Sequence, residues 1–476
     1  MRTFAWPTLC ATLIAFCSLF VGLSTPVIAQ DSPAPTDKQS AIWNVLLLVY
    51  PNIDADYTDT DGTSRHLIYT MSAAEVEDGV HAFRQYPAIA HDLSDQETFV
   101  TYRIVYVDRP ITSLSPLGND SYWPSPDDVR TELDRYAPPG SLYDSVFVLW
   151  PQANLTTGQQ IPCYGWGLAL GASSWSNGAT YAVVSNAETW TWQVPTVGEV
   201  WLHEWLHGVA RYYIDQGYRL PEKDADGGGW HGYTASPETG WSSYYRDLMT
   251  EQVMEDGVPT GIPAAAWRDG SIVGAVRRVF ADYFTADTLG HYTVTGSAEW
   301  YNNPAHEQYV LLGSAVSADN RMYIPFTADN SFTITARVLI PSSGIDVWDS
   351  GAVALSNGGS EYWAMLFYGT NLVERNSIGI SRNDQGGSLT PLTLQLGTWY
   401  TIRFQAKRET LTLSMKAWAD GENEPADWQT TLPLSEGWDP THIGFRHYGP
   451  GRAYDDLVVV EEPTRYSTYL PAIVRR

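Results

Sequence analysis

The stretch VWLHEWLHGVARYY, Val200 to Tyr213, holds three side chains whose types and spacing fit metal chemistry: His203, Glu204 and His207. On an α-helix, residues i and i+4 lie one turn apart on the same face. Two imidazoles placed this way reach a single ion, and neutral imidazole suits zinc (Zn²⁺). Glu204, beside the first imidazole, is placed to hold an attacking water, take its proton and pass it to a leaving amine. The reaction class is hydrolysis of an amide, a peptide bond first of all. Cys163, in QQIPCYGWG, has no neighbouring base and reads as an inert thiol.

These residues need a helix, and the flanks predict one. Thr196 and Glu199 form a Thr-x-x-Glu capping box after Pro195, and Gly217 stands where the helix should stop. Upstream, apolar runs at 42–51, 99–107 and 145–151 read as strands, and 72–86 and 126–136 as helices. The first of those helices opens with Ser72 and Glu75 in capping-box spacing. This alternation predicts a three-layer α/β arrangement around a largely parallel sheet. ATYAVVS (179–185) then reads as a short edge strand just before the metal-binding helix.

From about 287 the texture changes to short alternating segments, among them SFTITARVLI, EYWAMLFYG, WYTIRFQAK and YDDLVVVE, separated by Gly, Asn, Asp and Pro. That is the pattern of an all-β sandwich. The predicted organisation is a signal peptide at 1–29, a linker at 30–41, an α/β domain at 42–286, a sandwich at 287–464 and a tail at 465–476. The signal reading rests on Arg2, the apolar run after it and the small residues Val27 and Ala29. No later segment has the ~20 apolar residues a membrane span requires. The protein is expected to be secreted, extracellular or cell-surface associated. Cys10 and Cys17 leave with the signal, so Cys163 has no internal disulfide partner.

The chain has 28 basic and 54 acidic residues, a formal charge of −26. Such a charge repels phosphate backbones and anionic bilayers, so nucleic acid is not an expected partner.

LHEWLHG, with the α/β half and the strand before it, resembles the zincin metallopeptidases. The resemblance covers roughly 42–285 in architecture, and its specific part is the motif. It implies that His203 and His207 are zinc ligands, that Glu204 is the general base and acid, and that the edge strand binds substrate backbone. The chain departs from the metzincin branch, which would carry Gly and His where Ala210 and Tyr213 stand. In the gluzincin pattern a following helix supplies a glutamate, for which Glu238 and Glu251 are candidates. An aspartate-using branch would look to Asp224 or Asp226. His231 is the remaining candidate and the favoured one, being the only histidine between the motif helix and the sandwich. The choice of third ligand stays open. In WSSYYRDLM (241–249), Tyr244 or Tyr245 is a candidate to hydrogen-bond the oxyanion of the transition state, and Met249 a candidate apolar floor under the metal. DADGGG and DADYTDTDG (54–62) hint at calcium (Ca²⁺), but neither has the full calcium-loop spacing.

SFTITARVLI, GTWYTIRFQAKRETLTLSMKAW and IGFRHYGPGRAYDDLVVVE resemble the concanavalin A-like (laminin-G-like) jelly-roll sandwiches. The resemblance implies an attached recognition module, with extracellular glycans as its partner class. The leading expectation is a secreted zinc metallopeptidase acting on protein or peptide substrates. The alternative is a non-catalytic glycan- or surface-binding protein on a zincin-like scaffold.

Overall fold

The computed structural model describes residues 34–462, apart from 119–120, 164–166, 188–196, 275, 303–307, 314–318, 341–349, 368–375, 384 and 449–450. The leader, the tail and Thr196 lie outside the described residues.

A 14-residue strand, Thr36–Val49, organises the first half. It runs parallel to Phe99–Tyr106 on one side and to Ser145–Trp150 on the other. Thr180–Ser185 follows in parallel, and Gly167–Leu170 closes that side antiparallel. Successive side chains of a strand point to opposite faces, so Val45, Leu47 and Val49 enter one core and Leu46 and Leu48 another. Burial on both faces is why these strands read as unbroken apolar runs.

Helix α1 (Ala73–Leu93) covers the first face, and its predicted capping box forms. The Glu75 N–H donates to Ser72 Oγ at 3.2 Å, and the Ser72 N–H to Glu75 Oε2 at 2.9 Å. The helix runs past Pro87, where the sequence pattern stops, because Ala90 and Leu93 join the core beyond it. Helix α2 (Arg130–Tyr136) sends Leu133 into the opposite core. Helix α3 (Glu199–Asp215) carries the histidine motif, and α4 (Ser242–Met249) packs on the same side.

Three local expectations change. The predicted linker is strand from Thr36 onward: Thr36–Ala41 pair antiparallel with Val276–Ala281, which fixes this backbone. The sheet edge is Gly167–Leu170, since Thr180–Ser185 has a neighbour on each side. At the head of α3, Gly198 is the cap residue, at φ 93°, and among the described residues no side chain caps the helix. The Glu199 carboxylate instead accepts the Trp241 N–H at 2.7 Å, which ties α3 to α4.

The second half is an antiparallel two-sheet sandwich. One sheet runs 293–295, 319–325, 440–448, 350–357, 360–367, 377–382 and 385–391 in spatial order. The facing strands are 452–461, 332–340, 398–407, 412–419 and 430–433. Alternate residues from both, such as Ile334, Val338, Leu355, Leu366 and Ile402, fill the core between them. Val276–Asp282 links the halves, pairing with Thr36–Ala41 on one side and with Leu457–Val460 on the other. Phe280 enters the sandwich core, whereas Val279 and Ala281 enter a small cluster at the junction. This strand, inside the expected α/β half, is therefore shared by both halves. Among the described residues, no helix is long and apolar enough to cross a membrane.

Candidate metal centre

α3 turns Leu202, Trp205, Leu206, Val209 and Tyr213 into the core. The Trp205 ring meets Trp43 edge-on with centroids 5.5 Å apart. With that face fixed, His203 and His207 emerge together on another side, both half-buried. Their Nε2 atoms stand 3.2 Å apart. The Asp226 carboxylate joins them, with Oδ1 3.5 Å from His203 Nε2 and Oδ2 3.9 Å from His207 Nε2. Among the described residues, His203, His207 and Asp226 form the one such metal-ligating group. Tetrahedral donors about 2.0–2.1 Å from a zinc ion lie about 3.3 Å from one another. The three side chains fit that spacing with small adjustments of Asp226, whose side chain is 69% exposed.

The outer nitrogens of both imidazoles are also engaged. His207 Nδ1 lies 2.5 Å from Asp224 Oδ1, and His203 Nδ1 lies 2.9 Å from the Tyr245 hydroxyl. A carboxylate beside Nδ1 holds the proton there and directs the Nε2 lone pair at the common centre. Asp224 and Asp226 come from one 3-10 turn, Asp224–Gly227. The Tyr244 hydroxyl clamps that turn by donating to the Asp224 carbonyl. Gly227 is required there, because a Cβ would lie 2.3 Å from the Tyr244 hydroxyl oxygen.

Glu204 is 3% exposed and sits beneath the edge strand. A Cβ at Gly167 would lie 2.4 Å from the Val183 carbonyl oxygen and 2.7 Å from the Glu204 carboxyl carbon. The glycine thus lets the edge strand close over the carboxylate.

The charges respond to this crowding. Burial, with the neighbouring His207, pushes the His203 pKa down to about 3. Burial also pulls His207 down, but the hydrogen bond and charge of Asp224 outweigh it and raise it to about 9. Burial pushes the Glu204 carboxyl up to about 8. Two cationic imidazoles cannot face each other across 3.2 Å, so the pair accommodates one proton, or a metal ion in its place.

The other sequence candidates fall elsewhere. His231 Nε2 lies 3.0 Å from the Glu222 carbonyl oxygen, and its ring stacks over Tyr244, which keeps it apart from the histidine pair. Glu238 accepts from Ser236 Oγ on an exposed loop. Glu251 is exposed in a turn after α4, at φ 57°. The Tyr244 and Tyr245 hydroxyls hold the Asp224 carbonyl and the His203 ring, so both act as positioning groups. Met249 is core. Tyr213 lies in the core with its hydroxyl on the Ala266 and Gly270 carbonyls. The acidic stretch 54–62 folds into a hairpin where Asp54 and Asp56 flank His66 and Asp59 pairs with Arg65. Cys163 packs against the second core. The sequence reading missed Asp224 as the partner of His207 and Gly167 as the cover of Glu204. The alternation of aspartates in DADG was the available signal for the first.

By sequence, the chain matches no protein-family model and no curated protein. Among solved structures it is similar to lectin II from Ulex europaeus, at 10% identity and TM-score 0.30, over 39% of this chain and 98% of that one. Peanut lectin with a 9mer peptide gives 11% and 0.32 over 39% and 98%. The lectin from Bauhinia forficata in complex with GalNAc gives 12% and 0.31 over the same shares. Likeness this distant establishes neither family nor activity.

Proposed function

We propose that the protein is a metal-dependent hydrolase of peptide bonds, with zinc as its ion and the sandwich as an accessory recognition domain. The observation that carries this reading is the convergence of His203, His207 and Asp226, with both outer imidazole nitrogens already held. His203, His207 and Asp226 would bind the ion; Asp224 and Tyr245 orient the rings. When bound, zinc supplies Lewis acidity, which lowers the pKa of a water and polarises the carbonyl under attack. Glu204 takes the proton of the attacking water and returns it to the departing amine nitrogen. The free edge of Gly167–Leu170, directly above Glu204, offers backbone groups to an extended substrate.

Metal analysis of the purified full chain tests the reading, together with a peptide-library assay. One zinc per chain is expected, with chelator-sensitive cleavage. Glu204→Gln should abolish cleavage and keep the metal. A metal-free protein with both histidines intact, or cleavage that survives Glu204→Gln, refutes it. A second reading, a glycan-binding protein without catalysis, draws on a cavity between the two halves whose lining includes Trp418 and Trp428. Glycan binding with no cleavage of any peptide would favour it.

A further inference from the structure

The strand Phe99–Tyr106 pairs with Thr36–Val49 and, among the described strands, with no other. That partner leaves it at Ile42, because Thr36–Ala41 turn aside to pair with Val276–Ala281. The sheet therefore forks. The fork opens a crevice between the free edge of Phe99–Tyr106 and the sandwich strands Thr398–Lys407 and Thr412–Ala419. A cavity of about 380 Å³ fills it, and a second of about 300 Å³ continues it. Both are lined by Asn44, Thr101, Tyr102, Arg103, Arg403 and Lys416. This is the size of small-molecule sites, about 300–1,000 Å³.

The walls are held in place. Asp420 joins Arg84 of α1, at 2.9 Å, to Arg337 of the sandwich, at 2.8 Å. Asn423 accepts the Tyr106 N–H at 2.8 Å and donates to its carbonyl at 3.3 Å, closing one end of the free edge.

The lining inverts the charge of the chain. Against 28 basic and 54 acidic residues overall, six basic and three acidic side chains line the larger cavity. Arg403 and Lys416 share one carboxylate, Glu424, at 2.6 and 2.7 Å, which offsets one of their two charges. Arg103 is in no ion pair among the described residues; it rests over the Tyr136 ring, and its buried Nε has no hydrogen-bond partner. The Arg103 side chain lines both cavities with no carboxylate beside it among the described residues, and a carboxylate is the partner a guanidinium binds best. Trp418 and Trp428 add two indole rings to the lining, each covered on one face, by Arg403 and Lys416 respectively. Thr101, Thr335 and Gln405 add hydroxyl and amide groups.

From this combination we infer that the crevice binds a carboxylated sugar of one or two rings. The carboxylate meets Arg103, the apolar ring face lies against the indole surface that Arg403 and Lys416 leave open, and the hydroxyls meet the threonines and Gln405. Neither the metal nor Glu204 enters this site, so it stands or falls separately from the hydrolase reading.

The test is calorimetric titration of the full chain with D-glucuronic acid, N-acetylneuraminic acid and digalacturonate, against glucose and cellobiose. Tri-alanine with a free C-terminus serves as the peptide arm, since an extended peptide could instead pair with the free strand edge. At least one acidic sugar should bind tenfold or more tighter than the neutral ones and weaken as salt rises. Arg103→Gln should remove that preference, Arg103→Lys should keep part of it, and Trp428→Ala should weaken all sugars. Glu204→Gln should bind as wild type does. No sugar binding, equal affinity for neutral sugars, a preference for tri-alanine, or a preference that survives Arg103→Gln in a folded variant overturns the proposal.

Discussion

Asp224 offers the sharpest perturbation of the metal centre, because it sits behind a ligand. Its Oδ1 lies 2.5 Å from His207 Nδ1 and also accepts the Ala225 N–H at 2.6 Å. Outer carboxylates of this kind change metal affinity by about 10- to 100-fold, or about 1.4–2.8 kcal/mol. The Asp224 side chain is 30% exposed, so water replaces part of what is lost, and Asp224→Ala should fall near tenfold. Asp224→Asn keeps an oxygen facing Nδ1 and removes the charge, so it should lose less. Asp226→Ala removes a direct ligand and should lose more than either, whereas His231→Ala should leave affinity unchanged. Competition with a chromogenic chelator, with zinc added to the full chain, measures all four. The reasoning is refuted if Asp224→Ala binds zinc like wild type. It is equally refuted if His231→Ala loses the metal while Asp226→Ala keeps it.

Gly167→Ala should hinder the edge strand over Glu204, at an overpacking cost of about 1–3 kcal/mol; cleavage should fall with zinc content unchanged. Asp420→Ala removes the nearest carboxylate from two buried guanidinium groups, Arg84 and Arg337, each with a side chain only 5% exposed, and leaves them Glu77 at 3.6 Å and Asp455 at 3.5 Å. Breaking such a pair costs about 3–5 kcal/mol, read as a lower denaturant midpoint. His91 is buried, between Thr98 and Thr36, and burial lowers its pKa to about 4. The unfolded chain, with a histidine pKa of about 6.5, binds the proton first. Stability should therefore fall as pH drops from about 6.5 to about 4, by about 3 kcal/mol from this group, and His91→Gln should flatten that part of the curve.

Much of the local architecture is legible in the sequence, because it depends on residues a few positions apart. The i, i+4 spacing puts His203 and His207 on one helix face before any fold is known. Ser72 and Glu75 start α1 by bonds made within four residues. The alternation in SFTITARVLI and WYTIRFQAK reads as sandwich strands because each has one face in a core. Glu199 shows the limit of the same logic, since its carboxylate takes a tertiary partner, the Trp241 N–H, 42 positions away.

What only the tertiary structure decides is which distant groups meet. His231 and Asp226 are five residues apart in a glycine-rich loop, and no local rule separates them. Asp226 is the one that meets the histidine pair because Tyr244 and Gly227 lock the 3-10 turn against α4, which brings two aspartates to α3 and leaves His231 on the Glu222 carbonyl. The forked sheet is likewise invisible locally. Thr36–Ala41 look like a polar lead until Val276–Ala281, some 240 positions away, complete their hydrogen bonds. The sequence by itself determined two imidazoles, a carboxylate and the helix that carries them. Pairing across the fold decided which carboxylate joins the histidine pair, the strand above Glu204 and the crevice between the halves, because those contacts are set by packing and not by spacing.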